Sequence, residues 1–220
     1  MRQLFIGLVA EGTTDVRFLK NIIHKSIQEL SWECTTMVDI SDVWEIIGLC
    51  GDNFVSKMID AAKKAKHISI LCIHADADSS SINNVMNTKF NPFFNALDSI
   101  SEKECCKYIV PTIPIQMIES WMLADKTLLK QLIDASSRTD TELGLDRNPE
   151  SYANPKEAIE DAIRISFAGK SKRRRDQIRI SDLYEILGNE LGLEKLRTIP
   201  SYRHFENNVR NTLKSMGLLR

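Results

Sequence analysis

The stretch LFIGLVAEGTTD, residues 4–15, decides the fold class, because an apolar run in it ends abruptly at an acid. Residues 4–10 are apolar or glycine, which is typical of a strand buried on both faces of a parallel sheet. Glu11 follows directly and is predicted at the carboxyl end of this strand. Residues 13–15 can cap a helix, and apolar residues recur at helical spacing over residues 16–30. The stretch therefore predicts a strand, a turn and a helix.

The same alternation continues towards the middle of the chain. Further strands are predicted at residues 33–40, 67–74 and 108–115, with helices over residues 54–62 and 90–97 between them. Pro111 and Pro114 place the last of these strands at a sheet edge or a bulge. Strands that alternate with helices predict an α/β fold with a mainly parallel sheet of about four strands flanked by helices.

After Gln116 the strand pattern ends and helical spacing takes over. Three further helices are predicted at residues 158–167, 183–193 and 205–218. We therefore divide the chain into an α/β catalytic domain, residues 1–130, and a helical, basic extension, residues 131–220. The Trp121 region and the C-terminal helices can pack within one chain or against a second copy, so a homo-oligomer stays open.

Composition narrows the class of protein and its partners. The chain has 220 residues, of which 43% are hydrophobic and 27% charged, which excludes disorder, collagen-like repeats and a disulfide scaffold. Residues 1–125 hold 11 Lys and Arg against 16 Asp and Glu, a net charge of -5, and residues 126–220 hold 18 against 14, a net charge of +4. An acidic half that can bind cations is thus followed by a basic half that can bind phosphate.

The cysteines and the N-terminal apolar run indicate where in the cell the protein is located. The five cysteines are odd in number and form no CxxC pair, so we expect reduced thiols and no structural zinc. The apolar run at residues 4–10 is too short to span a membrane. A cytoplasmic protein with no membrane partner is expected.

Acidic residues follow two of the predicted strands. Glu11 ends the first strand, and Asp76 and Asp78 follow the strand at residues 67–74. Functional groups in open α/β sheets collect at the carboxyl ends of the strands. The two aspartates share a face if the backbone stays extended, and carboxylate oxygens favour Mg²⁺ or Mn²⁺. The sequence therefore predicts a metal site.

Two more acids are candidate metal ligands, although each can instead have a structural role at the start of a helix. Asp15 can bind the metal or simply cap the helix that follows the first strand. Glu119 follows the strand at residues 108–115 and can bind the metal or favour the helix dipole. Helical surroundings favour a packing or capping role for Asp125 over a metal site.

A group of basic residues is a candidate nucleic-acid-binding surface, because Lys and Arg side chains bind backbone phosphates of any base sequence. The alternative is a solvated run of charge. The residues concerned are Lys170, Lys172, Arg173, Arg174, Arg175 and Arg203.

Two motifs resemble a known domain. GLVAEGTTD at residues 7–15 and IHADAD at residues 73–78 resemble the Toprim domain that topoisomerases, bacterial primases and OLD-family nucleases share. The resemblance implies that Glu11 acts as a general acid or base and that Asp76 and Asp78 bind magnesium.

Four motifs together resemble the compact Toprim-like proteins of the DUF4276 family. These are EGTT at residues 11–14, the acidic pair of residues 76 and 78, ESWMLAD at residues 119–125 and PSYRHF at residues 200–205. The resemblance implies an anti-phage defence setting and a partner ATPase of the AAA or ABC type encoded alongside.

These observations predict an Mg²⁺- or Mn²⁺-dependent endonuclease that cleaves phosphodiester bonds of DNA or RNA. One alternative is a phosphatase or nucleotidyl transferase that acts on small phosphorylated molecules at the same site. The other is a non-catalytic partner subunit of an ATPase. The chain lacks a GxxxxGK[ST] phosphate loop, so ATP hydrolysis is not expected of it.

Overall fold

The computed structural model describes residues 2–168 and 178–219. Within them, strands lie parallel in one sheet of order β2-β1-β3-β4, which confirms the predicted α/β class and the parallel sheet. The strands are β1, Arg2–Val9; β2, Val38–Glu45; β3, Ile70–His74; and β4, Ile109–Thr112. The proline-containing strand β4 lies at an edge of the sheet, as its sequence predicts.

The helices follow the predicted alternation up to β4 and then continue without further described strands. They are α1, Thr13–Ser31; α2, Phe54–Lys64; α3, Asn83–Val85; α4, Asn91–Asp98; α5, Glu119–Met122; α6, Lys126–Leu132; α7, Pro155–Ser166; α8, Ile180–Glu190; α9, Leu193–Leu196; and α10, Pro200–Ser215. A π-helical turn, Met86–Phe90, joins α3 to α4, and a short 3₁₀ helix, Pro149–Ser151, precedes α7.

Two apolar layers cover the two faces of the sheet. Leu4, Ile6 and Leu8 of β1 point to one layer, in which α1 packs with the helices that follow β4. Leu71 and Ile73 of β3 point to the other layer, together with residues of α2 and α4. This alternation along the strands is what a sheet covered on both faces requires, and it leaves the strand ends as the place for polar chemistry.

The second strand is not where its sequence predicts it. Residues 33–40 are predicted as a strand, whereas α1 continues to Ser31 and β2 spans Val38–Glu45. Only Ile40 and Val43 of β2 are buried. Because the polar residues Ser41 and Asp42 lie between these two, the apolar signal that locates a buried strand is missing.

Two of the motifs that resemble DUF4276 contact each other in the interior. The indole N–H of Trp121 in α5 donates to Ser201 Oγ of α10 at 2.7 Å. The Trp121 and Tyr202 rings are T-shaped with centroids 5.3 Å apart, and the Tyr202 hydroxyl lies 2.8 Å from Ser26 Oγ of α1. The Trp121 region therefore packs within one chain.

The predicted division at residue 130 crosses a common core. Phe18 of α1 and Leu187 of α8 belong to one hydrophobic cluster, and α8 packs directly on α1. The division stays a prediction, but the residues on its two sides share apolar contacts. None of the helices in the described part of the chain is long and apolar enough to cross a membrane.

Candidate functional site

The order of the strands creates a switch point between β1 and β3. The chain passes from β1 to β2 on one side of the sheet, and β3 and β4 then lie on the other side of β1. In open parallel sheets, ligands bind outside the carboxyl ends of the strands at such a point. Glu11 lies two residues beyond the end of β1, and Asp76 lies two residues beyond the end of β3. Both predicted acids therefore flank the place that the topology favours.

A buried histidine lies between two of the acids. His74 is the last residue of β3 and is 1% exposed. Its Nε2 is hydrogen-bonded to Asp76 Oδ1 at 3.1 Å, and its Nδ1 is 3.9 Å from Asp15 Oδ2. The Nδ1 atom has no hydrogen-bond partner among the described residues. His74 thus brings Asp15 and Asp76, which come from different segments, to the same end of the sheet.

Asp15 caps a helix and also lies at the switch point. It is in the first turn of α1, and its Oδ2 accepts the backbone N–H of Gly12 at 3.0 Å, which caps the helix. Its side chain is only 14% exposed and lies beside His74. The capping bond fixes the carboxylate at the switch point, so the cap positions a candidate functional group.

The charges in this cluster influence one another. Burial raises the pKa of Asp15, and the charge of Asp76 adds to this, whereas His74 and the Gly12 N–H oppose it. Burial alone lowers the pKa of His74, but Asp76, Asp15 and Glu11 outweigh it, so the pKa of the imidazole is raised overall. His74 is therefore biased towards the positive imidazolium between two carboxylates.

Glu11 faces a lysine on a π-helical turn. Its side chain is 50% exposed, and its Oε1 is 3.6 Å from Lys89 Nζ. Lys89 lies in the turn Met86–Phe90, where the backbone N–H of Asn91 donates to the Met86 carbonyl. Pro92 has no backbone N–H to continue an α-helical ladder, which accounts for the wider turn.

Asp78 departs from the geometry that its spacing predicts. The expectation that Asp76 and Asp78 share a face requires an extended backbone, whereas Asp78 has a φ of 49° and is exposed. Its backbone N–H donates to the Gln116 carbonyl at 2.9 Å, and Gln116 also has a positive φ of 58°. The chain turns at Asp78, so the extended pair is a wrong expectation, although Asp78 still lies beyond the carboxyl end of β3.

Glu119 is buried at the same end of the sheet. It begins α5, is 5% exposed, and accepts a hydrogen bond from the Tyr184 hydroxyl of α8. Burial raises the pKa of Glu119, and the negative charge of Asp76 raises it further, while the Tyr184 bond opposes the shift. The influence of Asp76 places Glu119 in the electrostatic neighbourhood of the switch point.

Three participants are missed by sequence reasoning. His74 stands two residues before Asp76 in a strand, and this spacing puts both side chains on one face, so a signal for it exists. Lys89 depends on the π-helical turn, and Tyr184 lies in an ordinary apolar stripe of α8. Neither of these two carries a signal in the local sequence.

The remaining candidates lie elsewhere or outside the described residues. Asp125 caps α6, because its side chain accepts the Leu128 backbone N–H at 3.0 Å, which confirms the capping role. Arg203 is exposed, and its guanidinium donates to the Arg197 carbonyl at 2.8 Å. The basic residues Lys170, Lys172, Arg173, Arg174 and Arg175 fall outside the described residues.

The side chains at this edge of the sheet are of the type that binds a hard cation, but they are too far apart to hold one in the present conformation. Over residues 2–168 and 178–219, no three His, Cys, Asp or Glu side chains are close enough to hold a metal ion as they stand. The donors are nevertheless mostly carboxylate oxygens, and burial raises the pKa of two of them, Asp15 and Glu119. A bound divalent cation would offset that electrostatic cost. It would require Glu11 to exchange its contact with Lys89 for the metal.

Comparison with known proteins identifies one family. The family model described as a domain of unknown function, DUF4276, matches residues 10–210. No curated protein and no solved structure shows significant similarity to the chain. The match spans the acidic switch point and the helices that follow the sheet.

Proposed function

The chain belongs to the DUF4276 family, and we propose that it is a metal-dependent nuclease that cleaves phosphodiester bonds of DNA or RNA. The supporting observation is that Glu11, Asp15 and Asp76 surround buried His74 at the carboxyl end of a parallel sheet. Glu119 is within electrostatic reach of Asp76. Burial raises the pKa values of Asp15 and Glu119, and carboxyl groups with raised pKa values are typical of functional sites.

The resemblance to the Toprim domain gives these residues roles within the proposal. Glu11 is assigned to the metal or, alternatively, to proton transfer, because its side chain is half exposed and can reach a bound substrate. Asp76 and Asp78 are assigned as ligands of Mg²⁺ or Mn²⁺, with Asp15 and Glu119 as further ligands. A cation held there would polarise a phosphoryl oxygen and lower the pKa of a bound water.

The surrounding residues orient the acids and balance their charge. The His74 imidazole holds Asp76 through a 3.1 Å hydrogen bond, which limits the rotation of that carboxylate. The Tyr184 hydroxyl holds Glu119 in the same way. Lys89, beside Glu11, provides a positive charge that can meet a phosphate oxygen of the substrate.

The setting of the enzyme is part of the proposal. All five cysteines are free thiols, which suits the reducing cytoplasm. A partner ATPase of the AAA or ABC type and a role in anti-phage defence follow from the family resemblance. A phosphatase that acts on small molecules is the alternative that the same acids would serve.

One set of assays tests the proposed function. The purified chain is given Mg²⁺ or Mn²⁺ and offered plasmid DNA, single-stranded DNA, tRNA and a chromogenic phosphomonoester. We expect cleavage of a nucleic acid, and a loss of about a hundredfold or more in Glu11→Gln and Asp76→Asn. Asp98→Asn is the matched control, because Asp98 is an exposed acid at the end of α4.

The outcomes separate the functions. Equal activity in the wild type and both site variants would exclude the proposed site. Turnover of the phosphomonoester alone would favour the phosphatase. Inactivity on every substrate would favour a non-catalytic subunit or one that requires its ATPase.

A further inference from the structure

A cleft opens directly beside the acidic edge. Its volume is about 480 Å³, within the range of roughly 300–1,000 Å³ that is common for small-molecule sites. Glu11 and His74 line it, so it adjoins the proposed catalytic residues. The other side chains that the argument uses are Phe54, Lys57, Met58 and Lys89.

One wall of the cleft combines a cation with an aromatic ring. Lys89 Nζ lies 5.7 Å from the centre of the Phe54 ring and 3.6 Å from Glu11 Oε1. Phe54 packs edge-on against Phe90, with ring centres 5.3 Å apart, so its orientation is fixed by the core. Lys89 thus links the acidic edge to an aromatic surface.

The cleft offers separate places for a charged and an apolar group. Lys57 is an exposed residue of α2, and with Lys89 it gives the cleft two ammonium groups against one carboxylate, Glu11. Phe54 and Met58 supply apolar surface on the same helix. Phosphate beside a flat, apolar ring is the ligand chemistry that this combination suits.

We propose that this cleft binds one unpaired nucleotide of a single-stranded nucleic acid, with its base against Phe54 and its phosphate at Lys57 and Lys89. This inference rests on the proposed nuclease function and adds the class of substrate. A base in a duplex is stacked and paired, so it cannot enter a cleft of this size without leaving the helix. The enzyme therefore selects single strands, loops or frayed ends.

Binding without turnover tests the inference. Fluorescence anisotropy in EDTA measures the affinity of the full chain for labelled oligothymidylate, oligouridylate and a blunt duplex of the same length. We expect both single strands to bind more tightly than the duplex. A difference between the two single strands distinguishes DNA from RNA within the proposal.

Two variants distinguish the contribution of base stacking to binding from the contribution of phosphate contacts. Phe54→Leu should weaken single-strand binding by about tenfold and leave its salt dependence unchanged, because stacking is lost and charge is not. Lys57→Ala should weaken binding and reduce the salt slope by about 0.7, because one phosphate contact is lost. Phe54→Trp retains an aromatic face and should bind at least as well as the wild type.

Lys63→Ala is the matched control, since Lys63 is an exposed lysine of the same helix that does not line the cleft. Equal losses in Lys57→Ala and Lys63→Ala, equal affinity for duplex and single strand, or no binding to any oligonucleotide would overturn the inference. Thermal melting of Phe54→Leu checks that the fold is intact. Selective binding together with cleavage that is equal in the wild type, Glu11→Gln and Asp76→Asn would overturn the proposed catalytic site and leave the nucleotide site standing, so the two failures are distinguishable.

Discussion

Glu119 is a buried acid whose ionisation opposes stability. Its carboxylate is 5% exposed, and burial raises its pKa above the ordinary value of a glutamate. The folded state therefore binds this proton more tightly than the unfolded state does. The stabilisation from this tighter proton binding is fully present when the pH is below the pKa of Glu119 in the unfolded state. It is lost as the pH rises through the higher pKa of Glu119 in the folded state.

Glu119→Gln should raise the melting temperature at neutral pH, because the amide oxygen still accepts the Tyr184 hydroxyl without burying a charge. A gain of about 1 kcal/mol would correspond to about 2–4 °C in a chain of this size. Calorimetry without metal, at neutral and at acidic pH, measures the difference. The difference in stability between Glu119→Gln and the wild type should shrink as the pH falls towards the ordinary pKa of a glutamate. A variant that is less stable by the same margin at both pH values would contradict this account of Glu119.

The thiols give a second prediction for individual residues. Burial raises the pKa of Cys106 to about 11 and also raises the pKa of Cys72, whereas Cys50 is exposed. Because the thiolate is the reactive form, iodoacetamide at about pH 8 should modify Cys50 first in the folded protein. Peptide mass mapping locates the adduct. Early modification of Cys72 would show that β3 is more accessible than its burial indicates.

Helix α8 shows how one element depends on the close approach of another. Gly188 lies where α8 crosses α1, and a Cβ atom added there would be 2.8 Å from the Phe18 carbonyl oxygen. Real Cβ atoms do not approach backbone so closely, so any side chain at this position would separate the helices. The same helix carries Tyr184, which binds Glu119.

Gly188→Ala should therefore destabilise the protein, although replacing glycine by alanine within a helix ordinarily stabilises it by about 1 kcal/mol. We expect a loss of about 1–3 kcal/mol from overpacking. Asn189→Ala, at the exposed neighbouring position, is the control and should be neutral or stabilising. Chemical denaturation measures both, and a stabilised Gly188→Ala would show that the two helices separate readily.

Elements with a strong apolar pattern are predictable from the sequence, and those that depend on distant contacts are not. The run that forms β1 and the periodic residues of α1 identify both elements, because burial on both faces or along one stripe leaves a clear pattern. Edge strand β2 lacks that pattern and is misplaced. Glu11 and Asp76 are predictable since they follow strands, whereas the contact of Tyr184 with Glu119 joins residues 65 positions apart.

For the whole molecule, the helices after residue 130 are part of the fold that supports the acidic edge. α8 covers α1, and Trp121 is buried against Ser201 of α10. A fragment of residues 1–130 would expose the apolar face of α1, so we predict that it does not fold alone. Circular dichroism and the solubility of the fragment measure this. A cooperative melting transition in the fragment would support an independent domain at residues 1–130.

The proposed function requires the acids at the switch point to bind a divalent cation. Titration of Mn²⁺ followed by electron paramagnetic resonance tests it directly, because free Mn²⁺ gives a signal that binding diminishes. We predict saturable Mn²⁺ binding in the wild type and in Asp98→Asn. In Asp76→Asn, Mn²⁺ should bind at least about tenfold more weakly, which is the smallest loss of affinity expected when a group that supports a metal site is removed. Binding that is absent from the wild type, or unchanged in Asp76→Asn, would contradict the claim.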